Sequence, residues 1–423
     1  MSACGADPER SSEPTSAPAP KPGELRLVSS AAERAVGDRA AVPDAVFALH
    51  ALGAGLYAEL SGDGDNLAVS PYSVGVALAM TQNGANGRTL DEMTEVLGGV
   101  GPGRLNGGLN ALTVHVESLA GPQERLDQSK AEIALRAANT LFGEATTTFE
   151  QPFLDTLARE YGAGLQAVDF KGDFDAARVA INDWTAERTE GRIEDLVPEG
   201  VLNELTRLVL VNALYLKAPW EQTFEKELTE DRDFHLLDGS TVPVPTMTLE
   251  TRAGWLGAGN GWQALRLPYA GQALAMTIVL PDEGRLADVE TAVAGGGLPV
   301  MLDSVETAEV AVSLPTWTFR TQAPLKDTLT ALGMPTAFDE TTADFSGMTA
   351  EERLFIAAVL HQTFIAVDEE GTEAAAATAV VGQLTSMPQY EPFTADRPFL
   401  FVIHDVEHGT PLFLGRIADP RSA

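Results

Sequence analysis

The chain has 423 residues, 44% of them hydrophobic, enough for a substantial core and for one large domain or two to three ordinary ones. Asp and Glu number 61 against 28 Lys and Arg, and the resulting net charge of −33 favours solubility while arguing against duplex DNA, heparin-like polyanions or an anionic lipid surface as partners. A single cysteine, Cys4, excludes an internal disulfide framework and a multi-cysteine zinc site, and no run reaches the roughly eighteen apolar residues of a membrane span.

At the start, MSACG resembles the end of a bacterial lipoprotein signal, in which a cysteine after small residues receives lipid. The apolar stretch that such a signal needs does not precede Cys4, so either the natural start lies upstream or the match is chance. Residues 11–22, SSEPTSAPAPKP, favour an extended tether. The expected organisation is therefore a tether over residues 1–41 and a folded domain over 42–423. Asp44 is expected to cap a helix with Leu49, Leu52, Leu56 and Leu60 on one face, which SGDGDN ends. A second helix is expected over about 73–82. Further on, helical stretches such as 173–189 interleave with strand-like runs at 208–217, 273–281, 308–315 and 360–371, the last two alternating as half-buried antiparallel strands do. PFLFVI and TPLFLGRI flank HDVEHG and read as a hairpin. Helices early and strands late, without βαβ regularity or an internal repeat, predict an α+β fold with a large, mostly antiparallel sheet.

One stretch fits neither template. EEGTEAAAATAVVGQLTSMPQ, residues 369–389, follows a strand with a glycine and four consecutive alanines, so that helix and strand readings compete.

Several segments together resemble the serpin family, in that family's order. They include NLAVSPYSVGVALAMTQNGANGRTLDEM, ANTLF, INDWTAERTEGRIEDLV, LVLVNALYLKAPWEQTF, LPYAGQALAMTIVLP and ADFSGM, then LHQTFIAVDEEGTEAAAATAV and DRPFLFVIHDVEHGTPLFLGRIADP. The resemblance runs from about residue 42 to 420. It implies three β-sheets, about nine helices and an exposed reactive-centre loop, held in a native state that is not the most stable one. It also implies a suicide-substrate inhibitor of serine proteases. The loop is cut as bait, and before the acyl-enzyme hydrolyses it inserts into the main sheet as a new strand, carrying the protease with it. A carrier, chaperone or stress protein of the same family is the alternative.

In that frame the small residues of the loop have a physical purpose. A strand entering an existing sheet must pass between two neighbours, and bulky or charged inward side chains would slow it. With period two, Thr372, Ala374, Ala376 and Thr378 face the core while Glu373, Ala375 and Ala377 face outward; Glu370 and Gly371 form the hinge behind Glu369. Family spacing sets the scissile bond between Thr385 and Ser386, with Leu384 the alternative if the register shifts by one; Met387 is disfavoured by Pro388 after it. None of these residues is charged, so the expected target is an elastase-, chymotrypsin- or subtilisin-like protease with an uncharged primary pocket. Ser70, Ser73, Asn212 and His361 match a polar cluster that latches the sheet, against the plainer reading of four locally satisfied core residues. Trp220 and Glu369 match the top of the sheet, although Thr316 stands where a lysine partner for Glu369 is expected.

Other motifs are weak. HDVEH, residues 404–408, fits H-x-x-E-H, but that pattern needs a helix and here lies between strands, so no metal is expected. GDGDN lacks the glycine and glutamate of a calcium loop, and Ser70 and Ser73 lack a nucleophile's context. The expectation is a non-enzymatic, cofactor-free monomer, extracellular or attached to the cell surface through lipid on Cys4.

Overall fold

The computed structural model describes residues 21, 23–62, 64–372 and 390–421. In chain order, β1 (Arg26–Val28) precedes the long helix α1 (Val42–Leu60), and β2 (Leu67–Val69) leads into α2 (Pro71–Gln82), α3 (Gly87–Val96) and α4 (Pro102–Ser118). Next come β3 (Gly121–Glu124), β4 (Lys130–Glu144), α5 (Gln151–Thr156), β5 (Leu165–Val168), α6 (Phe170–Arg188) and β6 (Leu208–Pro219). Strands β7 (Glu230–His235), β8 (Thr241–Gly259), β9 (Trp262–Pro268) and β10 (Leu274–Pro281) precede helices α7 (Leu286–Ala294) and α8 (Leu298–Asp303). The chain then forms β11 (Glu306–Pro315), β12 (Trp317–Pro324), α9 (Lys326–Ala331), β13 (Ala358–Val367) and the two-residue β14 (Gly371–Thr372). It closes with β15 (Glu391–Thr394) and the hairpin β16 (Phe399–Asp405) and β17 (Pro411–Ile417).

The main sheet runs β1-β5-β4-β6-β14-β13-β12, with β3 paired to β4. Its centre is unusual for a largely antiparallel sheet, because β6 and β13 are parallel neighbours from Ala358↔Val209 to Thr363↔Leu214. Strand β6 is apolar on both faces because both are covered. Leu208, Leu210 and Leu214 join the large core around α1 and α2, whereas Val209, Val211 and Ala213 pack with Phe170, Ala177 and Ile181 of α6.

The second sheet runs β15-β11-β8-β9-β10-β16-β17-β2, with β7 on β8. Strand β8 has 19 residues, which lets it serve two ladders: its first part pairs with β7 and β11, and its last residues with β9. What the resemblance divides into two smaller sheets is thus one hydrogen-bonded ladder, bridged by β8.

Two expectations at the N-terminus need correction. The segment before residue 42 is not all tether: β1 pairs antiparallel with β5, and Arg34 and Ala35 bond to Asn110 of α4. Apolar Leu and Val in RLV can extend the open edge of the main sheet, which a composition-based boundary overlooks. Asp44 is not the cap of α1, whose N-cap is Ala41; it sits in the first turn and pairs with Arg104. Leu49, Leu52 and Leu56 are buried as expected. By length and mean hydropathy residues 39–60 could cross a bilayer, although charged residues interrupt them, and most of this stretch is buried inside the fold as a core helix.

Candidate functional site at the opening of the main sheet

The site begins where α2 meets the sheet. Ser70 caps α2 by accepting from the Ser73 amide at 3.1 Å, and the Ser73 hydroxyl donates to Asn139 of β4 at 2.5 Å. The Ser70 amide donates to His361 Nε2 at 3.0 Å, and His361 Nδ1 lies 3.1 Å from the Asn212 carbonyl. A carbonyl only accepts, so Nδ1 carries the proton and the ring is neutral. Burial holds it so, pushing its pKa down to about 4. His361 therefore ties β13 to both β6 and the start of α2.

All four expected latch residues come together, chiefly through backbone groups. Asn212 Nδ2 reaches the Leu360 carbonyl only at 3.5 Å, and its buried Oδ1 has no hydrogen-bond partner among the described residues. Asn139, which the sequence reading missed, stands opposite Asn212 across the β4–β6 ladder and takes the Ser73 bond instead.

Above the latch, β6 and β13 part. Their direct pairing ends at Thr363↔Leu214, and near the top Gly371 and Thr372 sit between them, with Gly371↔Pro219, Thr372↔Ala218 and Val367↔Thr372 all antiparallel. Thr372 is 1% exposed, and its hydroxyl is 2.7 Å from that of Tyr269. Gly371 has φ +153°, and a Cβ there would stand 2.2 Å from the Ala218 carbonyl oxygen, so only glycine fits this approach.

Trp220 organises the entrance. Its indole stacks on Tyr269 at 4.6 Å, its Nε1 donates to the Asp368 carbonyl, and its amide donates to the Glu370 carbonyl. Glu369 finds its partner in Thr229, whose hydroxyl donates to it at 2.6 Å, and the Phe224 amide donates to the Glu369 carbonyl. This answers the missing lysine at Thr316 with a neutral donor. Asp368 closes the turn by accepting from the amides of Glu370 and Gly371, and burial raises its pKa. Tyr269, Thr229 and Asp368 lie outside the predicted set, although Tyr269 stood in the quoted block LPYAGQ and Asp368 in LHQTFIAVDEEG. The remaining loop candidates, Glu373, Ala374, Ala375, Ala376, Ala377, Thr378, Leu384, Thr385 and Ser386, lie outside the described residues, as does Cys4.

A family model described as Serpin (serine protease inhibitor) matches residues 48–420. The chain belongs to the serpin family. A serpin-like protein of Thermococcus kodakarensis is 38% identical over 369 residues, 86% of this chain and 83% of its own. The human leukocyte elastase inhibitor is 34% identical over 373 residues, covering 84% of this chain and 93% of its own. Among solved structures, the thermophilic serpin tengpin in its native state superposes with a TM-score of 0.80 at 25% identity, over 94% of this chain and all of tengpin. In this serpin the H-x-x-E-H motif does not act as a unit. His404 points into the core, bonded to Thr277 at 2.9 Å with its pKa lowered to about 4 by burial, while His408 lies in the β16–β17 turn.

Proposed function

We propose that this serpin inhibits serine proteases as a suicide substrate, by insertion of its cleaved loop between β6 and β13. The observation that carries this reading is the seat of Gly371 and Thr372. These residues already pair antiparallel with both strands where the two have separated. Below them the centre of the sheet is a parallel ladder, slightly weaker per residue than an antiparallel one. A strand continuing from Thr372 would exchange it for two antiparallel ladders. About ten added hydrogen bonds, at roughly 1 kcal/mol net each, would supply on the order of 10 kcal/mol before entropic costs.

The parity of the loop supports the same reading. Thr372, the first inward position, is buried against Tyr269. Carrying its register onward brings Ala374, Ala376 and Thr378 to the same face, with Thr378 arriving level with Asn212 and His361. The preferred cut is Thr385–Ser386, with Leu384 the neighbouring alternative. Uncharged residues there suit elastase-, chymotrypsin- or subtilisin-like enzymes, and a relative that is named as an elastase inhibitor agrees with this. We place the protein outside the cell or on its surface, acting as a monomer without heparin.

Incubation with a panel of such proteases and trypsin, read on a denaturing gel, tests the proposal. A covalent adduct stable in hot detergent is expected with at least one uncharged-pocket enzyme. Simple digestion of the loop by every enzyme would leave the carrier or chaperone reading in its place.

A further inference from the structure

Away from the sheet opening, the fold assembles a nitrogen-rich cluster from segments far apart in sequence. His115 stands in the last turn of α4, and Glu407 and His408 lie in the turn between β16 and β17. One ligand atom from each of the three lies within 4.8 Å of the others. Glu407 sits between the rings, with one oxygen 3.7 Å from His115 Nδ1 and the other 3.7 Å from His408 Nε2. The two imidazoles meet edge to face with centroids 4.8 Å apart. Tetrahedral zinc with bonds near 2.0–2.2 Å sets its donors about 3.3–3.6 Å from one another. Side-chain adjustments of about an ångström would therefore close the cluster on an ion.

A second observation concerns how the His115 ring is held. Asp405 is wholly buried, and its Oδ1 lies 3.2 Å from His115 Nε2. A buried carboxylate accepts, so Nε2 carries a proton and Nδ1 is the atom left facing Glu407. This carboxylate–histidine relay is the arrangement that orients and fixes the tautomer of metal-bound imidazoles. The same carboxylate accepts from the amides of His408 and Thr410, both at 2.8 Å, and so shapes the turn that presents the other two ligands. His50 of α1 steadies that turn through the Gly409 carbonyl at 2.9 Å. All three ligands keep some exposure, with side chains 22%, 69% and 27% accessible for His115, Glu407 and His408, so an ion can enter.

We infer that His115, Glu407 and His408 form a site for a divalent transition-metal ion, of zinc type, with water as fourth ligand and Asp405 as the positioning residue. Two imidazoles favour zinc-like ions over calcium or magnesium, which prefer all-oxygen sites. The bound ion would clip α4 to the β16–β17 turn. This inference does not depend on the inhibitory mechanism.

Calorimetric titration of the full chain with Zn2+ alone tests it. One saturable equivalent is expected, undisturbed by excess Ca2+ or Mg2+, and Co2+ in its place should show tetrahedral visible absorption bands. His115→Gln and His408→Gln should each weaken binding at least about a hundredfold, and Asp405→Asn roughly ten- to a hundredfold. His235→Gln, at an exposed histidine elsewhere, should change nothing. Zn2+ should also raise the melting temperature of the native chain but not of the His115→Gln/His408→Gln double variant. No saturable binding would mean that His115 is simply a proton-bearing bridge between Asp405 and Glu407. Equal binding by that double variant, or displacement by Ca2+, would assign the ion to surface carboxylates. Either result overturns the proposal.

Discussion

On the proposed mechanism Gly371 and Thr372 would start the loop into the sheet, each for a reason that a substitution can isolate. Gly371→Ala would bring a methyl group onto the Ala218 carbonyl, in a backbone conformation that side chains disfavour, and should displace the hinge from β6. Thr372→Arg must bury a charge against Tyr269, and about 3 kcal/mol of added barrier would slow insertion roughly a hundredfold. The expected outcome for Thr372→Arg is conversion from inhibitor to substrate, read as a large rise in the stoichiometry of inhibition. An unchanged stoichiometry would show that Thr372 does not lead an inserting strand. Period-two alternation was enough to assign Thr372 to the inward set. It could not name Tyr269, whose hydroxyl reaches Thr372 from 103 residues away.

The polar cluster around His361 joins α2, β6 and β13, and its pH response follows from one buried ring. His361 stays neutral in the fold to about pH 4, while in the unfolded chain it titrates near its ordinary 6.5. Between these values the unfolded state binds more protons, so stability is full above about pH 6.5 and is lost as pH falls toward 4, by on the order of 3 kcal/mol. His404, also buried and lowered to about 4, adds a similar loss. Asp368 runs the other way, since its raised pKa makes the fold the better proton acceptor at the acid end, offsetting part of the loss. Protonated His361 would also face the Ser70 amide with a second donor, so acid should open the sheet as well as weaken it. Denaturant unfolding followed from pH 7 to 4 is expected to show this slope, and His361→Gln and His404→Gln should each flatten it, whatever their effect on absolute stability. The resemblance was enough to group Ser70, Ser73, Asn212 and His361, which the fold brings together. It did not reveal that Ser73 bonds to Asn139 while Asn212 keeps an orphaned acceptor, because that depends on how α2 sits over β4 and β6.

The molecule as a whole holds a parted sheet above a closed one, an arrangement that a completed strand would repair. Loop-cleaved protein should therefore melt well above intact protein in a thermal scan, as relief of a kinetically trapped state requires; equal melting temperatures would remove the basis for trapping. The N-terminal edge matters in the same way. Deleting residues 1–28 removes β1 and bares the edge of β5, and lower thermal stability with more aggregation is expected in light scattering. Alternation and apolar runs in the chain were sufficient for the α+β class and the C-terminal hairpin, since each is a local pattern repeating every two or three to four residues. Collinear motifs added the family and the grouping of Ser70, Ser73, Asn212 and His361. Packing alone decided that β6 and β13 lie side by side in parallel, that residues before 42 finish the main sheet, and that His408 meets His115 and not His404. Each of those outcomes brings together groups more than a hundred residues apart or turns neighbours to opposite sides of a wall of side chains, and such distances are set by the closing of the core, for which the order of residues along the chain has no local signal.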